Sequence, residues 1–192
     1  MIILASKSAS RRAMLGDSGV EFDVMPAAID ERALEASLGD VPPARVALEL
    51  AKAKALSIDG GEVPVLGSDS VLSVAGERFD KPTSRAQAEE HLRYFSGKEM
   101  VLDSAAAISL GGYVRWEHGA QARLSVRPLT EDFIERYLRA EWPEVAQCVG
   151  VFRIEAMGVQ LFEKIEGDYF TVLGMPLLPV LGALRELEEL PA

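Results

Sequence analysis

An α/β domain with two lobes is the architecture this sequence predicts, on three observations. Its 192 residues are long for one small domain and short for two. Hydrophobic residues make up 48% of it and fall in short runs punctuated by glycine and proline, the composition of a chain that builds an ordinary core. Short extended runs also alternate with helical periodicity from the first residues onward. Residues 1–192 are accordingly read as one domain.

Residues 1–5 read as a short buried strand, followed by a Ser-rich turn and a helix carrying Arg11, Arg12 and Leu15 that stops near Gly19. Residues 21–25 are expected to be extended and 27–31 to form a loop. Pro42 and Pro43 then open a long helix that runs to about residue 57. On it Val46, Leu50 and Ala53 fall on one side, with Arg45, Glu49 and Lys52 on the other. Lys54 breaks that pattern: it follows Ala47 by seven residues and Leu50 by four, which directs its ammonium toward the protein. Strands are expected over 63–67 and 70–74, with a turn at 75–77. Ser84 caps a helix whose apolar side is Ala88, Leu92 and Phe95. Residues 100–110 and 113–126 read as a hairpin joined at Gly111–Gly112. Thr130 starts a helix to about residue 140, residues 149–154 read as a strand, and Pro176 opens a final helix. There is no internal repeat and no low-complexity stretch.

The net charge of −10 argues against gripping nucleic-acid backbone, which needs a basic face to displace counterions. A small anionic ligand would need a local basic pocket inside an acidic protein. A single cysteine, Cys148, forms no intrachain disulfide, and with only His91 and His118 no thiolate–imidazole zinc cluster can be assembled. Only five apolar residues precede the first polar ones, too few for a signal peptide, and no run approaches membrane-spanning length. The expectation is a cytoplasmic protein with no nucleic-acid or membrane partner.

Four blocks carry chemistry. In LASKSASRRAML, Ser6, Ser8 and Ser10 precede a helix whose free N–H groups and dipole favour an anion, and Arg11 and Arg12 add guanidinium forks suited to phosphate oxygens. Ile29–Asp30–Glu31 places two adjacent acids in a loop. GSDSV puts Asp69 just past a buried strand, where α/β proteins commonly place ligand-binding groups. Asp80–Lys81–Pro82 is a charged turn. Singly, each has a mundane reading as a helix cap, a turn-forming Asp or an exposed turn. Jointly they form the kit for metal-assisted cleavage of a phosphoanhydride. Carboxylates hold a hard cation, Lys54, Lys81 and the arginines stabilise charge on phosphoryl oxygens, and a carboxylate activates water.

These motifs, in this order, resemble those of the Maf-type nucleotide pyrophosphatases, fold relatives of the inosine-triphosphate pyrophosphatases. LASKSASRRAML is similar to the family's opening signature, IDE at 29–31 to its acidic loop and LAKAKA at 50–55 to its lysine helix. GSDSV resembles its catalytic aspartate motif, DKP at 80–82 its lysine–proline turn, and Phe95–Ser96–Gly97 its helix-ending signature, with EGDYFTVLGMPL closing the series. The resemblance covers nearly the whole chain. It implies a mixed twisted central sheet flanked by helices, in two lobes with a cleft between them. It also implies hydrolysis of a nucleoside triphosphate at the α–β bond with Mg²⁺ or Mn²⁺, in a homodimer. Ser8, Arg11, Arg12, Glu31, Lys54, Asp69 and Lys81 take the positions of the family's active-site groups. Asp69 stands as general base or metal-bound carboxylate with Glu31 as its partner, the division of roles between them open. All these groups are then expected around one cleft sized for a triphosphate tail.

Within the family, the chain resembles the branch acting on 7-methyl-GTP more than the one acting on dTTP and UTP. Ser8–Ala9–Ser10–Arg11–Arg12 inserts one residue relative to the commoner spacing, GSDSV replaces GADTV, and Glu155 stands where the pyrimidine branch carries glutamine. A carboxylate at 155 can accept both N–H donors on guanine's Watson–Crick edge and favours a base made cationic by methylation. A uracil or thymine edge would face it with oxygen lone pairs. Three departures from the family pattern, Ala9, GMPL and Ala156–Met157–Gly158, touch packing and the base pocket, and Phe152 and Trp116 are candidate stacking partners for the base. The alternatives are the same chemistry on dTTP or UTP, and a nucleotide-binding regulator of septum formation with little catalysis.

Overall fold

In the computed structural model, which describes residues 1–191, the chain runs β1 (Ile2–Leu4), α1 (Ala9–Asp17), β2 (Phe22–Val24), α2 (Glu31–Leu38), α3 (Pro43–Leu56), β3 (Val65–Val74) and β4 (Glu77–Phe79). It continues through α4 (Arg85–Phe95), β5 (Glu99–Leu110), β6 (Tyr113–Val126), α5 (Glu131–Glu141), β7 (Phe162–Glu166), α6 (Tyr169–Val172) and α7 (Leu177–Glu186), with 3₁₀ turns at Glu144–Gln147 and Met157–Leu161. The strands form one mixed seven-stranded sheet in the order β2-β1-β3-β5-β6-β7, with β4 paired to β3. β1 is parallel to both β2 and β3, whereas β4 and β7 add antiparallel to β3 and β6.

The chain divides into two compact units. Unit 1 holds Met1–Ser70, Asp103–Gln121 and Asp168–Ala192, and unit 2 holds Val71–Leu102 and Ala122–Gly167. The core of unit 1 gathers Ile2 and Leu4 of β1, Leu15 of α1, Leu66 of β3, Ile108 of β5 and Leu184 of α7, all essentially inaccessible to water. Each such side chain contributes roughly 1.5–3 kcal/mol on burial. Ser8, Asp30, Ser84, Thr130 and Asp168 cap their helices through side-chain oxygens that accept backbone N–H groups, so helix starts follow local chemistry. No helix among the described residues is long and apolar enough to cross a membrane.

Three sequence expectations are corrected. Residues 65–74 form one uninterrupted strand instead of two, so Asp69 lies inside a buried strand and not beyond its end. The polar run Ser68–Asp69–Ser70 suggested a break, but each of these side chains finds a buried partner, which lets the strand continue. Residues 149–154 are irregular because Val151 turns to φ 55°, outside the extended region. On α3 the buried side is Val46, Ala47, Leu50, Ala51, Lys54 and Ala55, so Val46 and Leu50 lie inward as expected while Ala53 is only half-buried. The sequence reading also missed α2, α6 and β7, each eight residues or shorter. Phe152 packs edge-on against Phe162 at 4.9 Å and Trp116 stacks on His118 at 6.0 Å, so both rings are engaged within the protein.

Candidate active site

The buried face of α3 brings Lys54 onto β3. Gly67 permits this approach: a Cβ there would lie 2.2 Å from the carbonyl oxygen of Ala51 and 2.5 Å from the amide of Ala55, so any side chain at 67 would hold the helix off the strand. A helical side chain leans toward the helix N-terminus, and the ammonium of Lys54 thereby reaches Asp69, with which it forms a short, buried ion pair. The same ammonium lies 2.9 Å from Oε1 of Glu31 at the first turn of α2. The side chains of Lys54 and Asp69 are 11% and 12% exposed, whereas that of Glu31 is 50% exposed, so the trio grades from the interior to solvent.

A second polar cluster forms on the other face of β3. Successive strand residues point to opposite faces, so Ser68 and Ser70 turn away from the side occupied by Asp69. Both hydroxyls donate to the carbonyl of Gly174, at 3.2 and 3.0 Å, and the Arg11 Nε donates to the same oxygen at 3.0 Å. Arg11 also reaches Ser6 at 3.4 Å and Ser70 at 3.1 Å, and Ser70 meets Ser104 at 2.9 Å. Gly174 itself adopts φ 104°, a region closed to ordinary side chains. Arg11 forms no ion pair among the described residues, and its three bonds leave two of the five guanidinium N–H groups unspent. Burial pushes its pKa down, against the pull of the Asp69 and Glu31 charges, which reach it electrostatically. A half-buried cation bonded only to neutral acceptors has charge available for an anion.

The predicted site residues therefore separate. Glu31, Lys54 and Asp69 are in direct contact, and Arg11 stands within electrostatic range of both acids while bonding on the opposite face of β3. Ser8 caps α1, accepting the amide of Arg11 at 3.4 Å, and Arg12 is exposed. Lys81 and Glu155 belong to unit 2, where both are exposed and both act electrostatically on Cys148. Burial, then the charge of Glu155, pushes the Cys148 thiol up to about 11, with Lys81 and Arg153 opposing. The Ser68–Ser70–Ser104–Gly174 network was missed by sequence reasoning. Its only trace there was the alternation of serines around Asp69 and the glycine before Met175.

No group of three or more His, Cys, Asp or Glu side chains among the described residues is poised to hold a metal. The pair does suit a cation that completes its shell from substrate. Lys54 already draws Glu31 and Asp69 to one point of positive charge. Magnesium in phosphate sites is commonly bound by one or two carboxylates, with phosphate oxygens and water filling the other positions.

Comparison with known proteins finds relatives over nearly the whole chain. Over 190 residues the chain is 48% identical to a 7-methyl-GTP pyrophosphatase of Rhizobium etli, covering 97% of this chain and 96% of the relative. A 7-methyl-GTP pyrophosphatase of Rhizobium meliloti is 44% identical over 196 residues, covering 100% and 98%. A nucleoside triphosphate pyrophosphatase of Nitrobacter hamburgensis is 44% identical over 186 residues, covering 96% and 92%. Among solved structures, a HAM1 protein from Coxiella burnetii aligns with a TM-score of 0.39 at 16% identity, over 65% of this chain and 72% of that one. The family model described as Maf-like protein matches residues 1–187, and the chain belongs to that family.

Proposed function

We propose that this chain hydrolyses the α–β phosphoanhydride of a nucleoside triphosphate, 7-methyl-GTP or a related modified nucleotide, to the monophosphate and pyrophosphate. The observation that carries the reading is the buried Lys54 bridging Asp69 and Glu31, which gathers two carboxylates at one point where one can serve water and both can hold a cation that attracts phosphate. The names of the relatives at 44–48% identity support both the reaction and the base.

In this reading Asp69 and Glu31 share two tasks, orienting and deprotonating the attacking water and holding Mg²⁺ or Mn²⁺. When bound, the cation neutralises phosphate charge and lowers the barrier to attack. The water oxygen bonds to phosphorus, the bridging P–O bond breaks, pyrophosphate leaves with the electron pair, and the proton passes to the carboxylate. Lys54 and the unspent N–H groups of Arg11 receive phosphate oxygens, Arg12 and Ser8 add to them from α1, and Lys81 is a further cation for phosphate. Glu155 reads the base by accepting guanine N–H groups, and its negative charge favours a methylated, cationic ring. The working form is a cytoplasmic homodimer.

The test is product identification with purified protein, Mg²⁺ or Mn²⁺ and a panel of 7-methyl-GTP, GTP, UTP and dTTP. Pyrophosphate is the expected product, fastest from 7-methyl-GTP. Orthophosphate alone would mean that another bond is cut, and nucleotide binding without metal-dependent turnover would make the protein a binder.

A further inference from the structure

Unit 2 contains a charged arrangement that the reaction itself does not use. Val151 holds φ 55° although it is β-branched and fully buried, and such strain persists only where the surroundings enforce it. The enforcing groups come from α5. The Tyr137 hydroxyl donates to the Val151 carbonyl at 2.8 Å, and Glu141, 4% exposed, reaches the same segment with both carboxylate oxygens. Its Oε2 accepts Nε of Arg153 at 2.9 Å and its Oε1 accepts the amide of Met157 at 3.4 Å.

Arg153 and Glu155 stand two residues apart in this braced segment. A guanidinium and a carboxylate within electrostatic reach of each other are natural partners, because fork-to-carboxylate bonds are among the strongest a protein makes. Glu155 nevertheless accepts no hydrogen bond among the described residues and is exposed, acting on Arg153 only through space. Glu141 instead accepts the Nε–H of Arg153 and so fixes which way the guanidinium points. Burying a carboxylate is expensive unless it is bonded, and one of the bonds that satisfy it also fixes the place of the Arg153 guanidinium.

We infer that Glu141 is a positioning residue for base selection: by holding Arg153 it keeps the Glu155 carboxylate unpaired and negative, available to a cationic or N–H-presenting base. The inference rests on the proposed role of Glu155 in reading the base. A guanidinium released onto Glu155 would cancel the charge that distinguishes a methylated guanine from a pyrimidine.

The experiment compares kcat/KM for 7-methyl-GTP and UTP across four variants, with thermal unfolding as the check on folding. Glu141→Gln keeps the shape and removes the charge, so the 7-methyl-GTP preference should fall about tenfold or more, mainly through KM for that nucleotide. Adding Arg153→Met to Glu141→Gln should restore the preference, a rescue that a merely structural role for Glu141 would not produce. Arg153→Met alone should leave it intact, and its collapse there would show that Arg153 itself touches the base and would overturn the inference, even if Glu141→Gln failed to fold. An unchanged preference in Glu141→Gln, or no rescue in the double variant, also overturns it, provided Glu155→Gln shifts the preference. A Glu155→Gln variant that selects like the parent would instead remove the reading of the base site on which the inference stands.

Discussion

The charged centres of the two units are built in opposite ways. In unit 1, Lys54 and Asp69 sit on regular elements, α3 and β3, whose repeat alone determines where the side chains point, and Gly67 closes the gap between them. In unit 2, Glu141 also leaves a helix, but Arg153 and Glu155 occupy an irregular segment that needs Tyr137 and both oxygens of Glu141 to hold it. A centre on regular elements is rigid because its backbone is already paired. One in a loop must be braced by side chains, and each brace is a separate point of failure.

That contrast predicts that changes at the Lys54–Asp69 centre cost most turnover, whereas those in the braced segment shift selection. Asp69→Asn gives the largest expected effect, a fall in kcat of about 10³-fold or more, as removal of a base or a metal-holding carboxylate predicts. Because Glu31 remains 2.9 Å from Lys54, the ammonium keeps a partner and the melting temperature should stay near that of the parent. Pyrophosphate release measured beside a thermal melt checks both halves. Turnover within tenfold of the parent would show that Asp69 is neither the base nor a metal-holding carboxylate.

Gly67→Ala should come next. The added carbon would meet backbone atoms of Ala51 and Ala55 at 2.2 and 2.5 Å, which cannot rotate aside as a side chain could. Overpacking of this kind costs about 1–3 kcal/mol, and the displaced α3 would carry Lys54 off Asp69. Chemical denaturation should give a lower midpoint, and the fraction that remains folded should turn over more slowly. A variant with normal stability and rate would mean that contact between α3 and β3 is not what sets the geometry of Lys54.

The same contrast explains what could be seen from sequence. Lys54 was legible because a helix has a fixed period: its distance from Ala47 and Leu50 placed it on the inward face before any coordinates. Helix starts at Ser84 and Thr130 were legible because capping is local chemistry, and that at Pro176 because proline suits the start of a helix. The continuity of β3 was not, since it depends on the carbonyl of Gly174, more than a hundred residues away, accepting Ser68 and Ser70. Nor was the bend at Val151, because a valine carries no local signal for positive φ and the hydroxyl that holds its carbonyl comes from Tyr137. Arg11 was found as a cation near phosphate-binding machinery, but its bonds to Ser6, Ser70 and Gly174 join residues remote in the chain.

The smallest expected effect concerns Cys148, which reports the electrostatic balance of the braced segment without taking part in chemistry. Burial raises its thiol to about 11, with Glu155 adding to the rise and Lys81 and Arg153 opposing it. At pH 8 the thiolate is therefore scarce, and labelling by a disulfide reagent should be slow in the folded protein and fast after denaturation. The linkage has a definite sign: a pKa raised on folding means that the native state holds the proton more tightly than the unfolded chain does. Its contribution is then complete below about 8.5, the ordinary thiol value, and is lost as pH rises toward about 11. Melts of the parent and of Cys148→Ala should show the parent losing the larger share of its stability over that alkaline range. Glu155→Gln removes a charge that raises the thiol pKa, so labelling near pH 9 should quicken, whereas Lys81→Met removes an opposing charge and should slow it. Equal rates in both variants would mean that neither charge reaches the thiol, and that burial alone sets its reactivity.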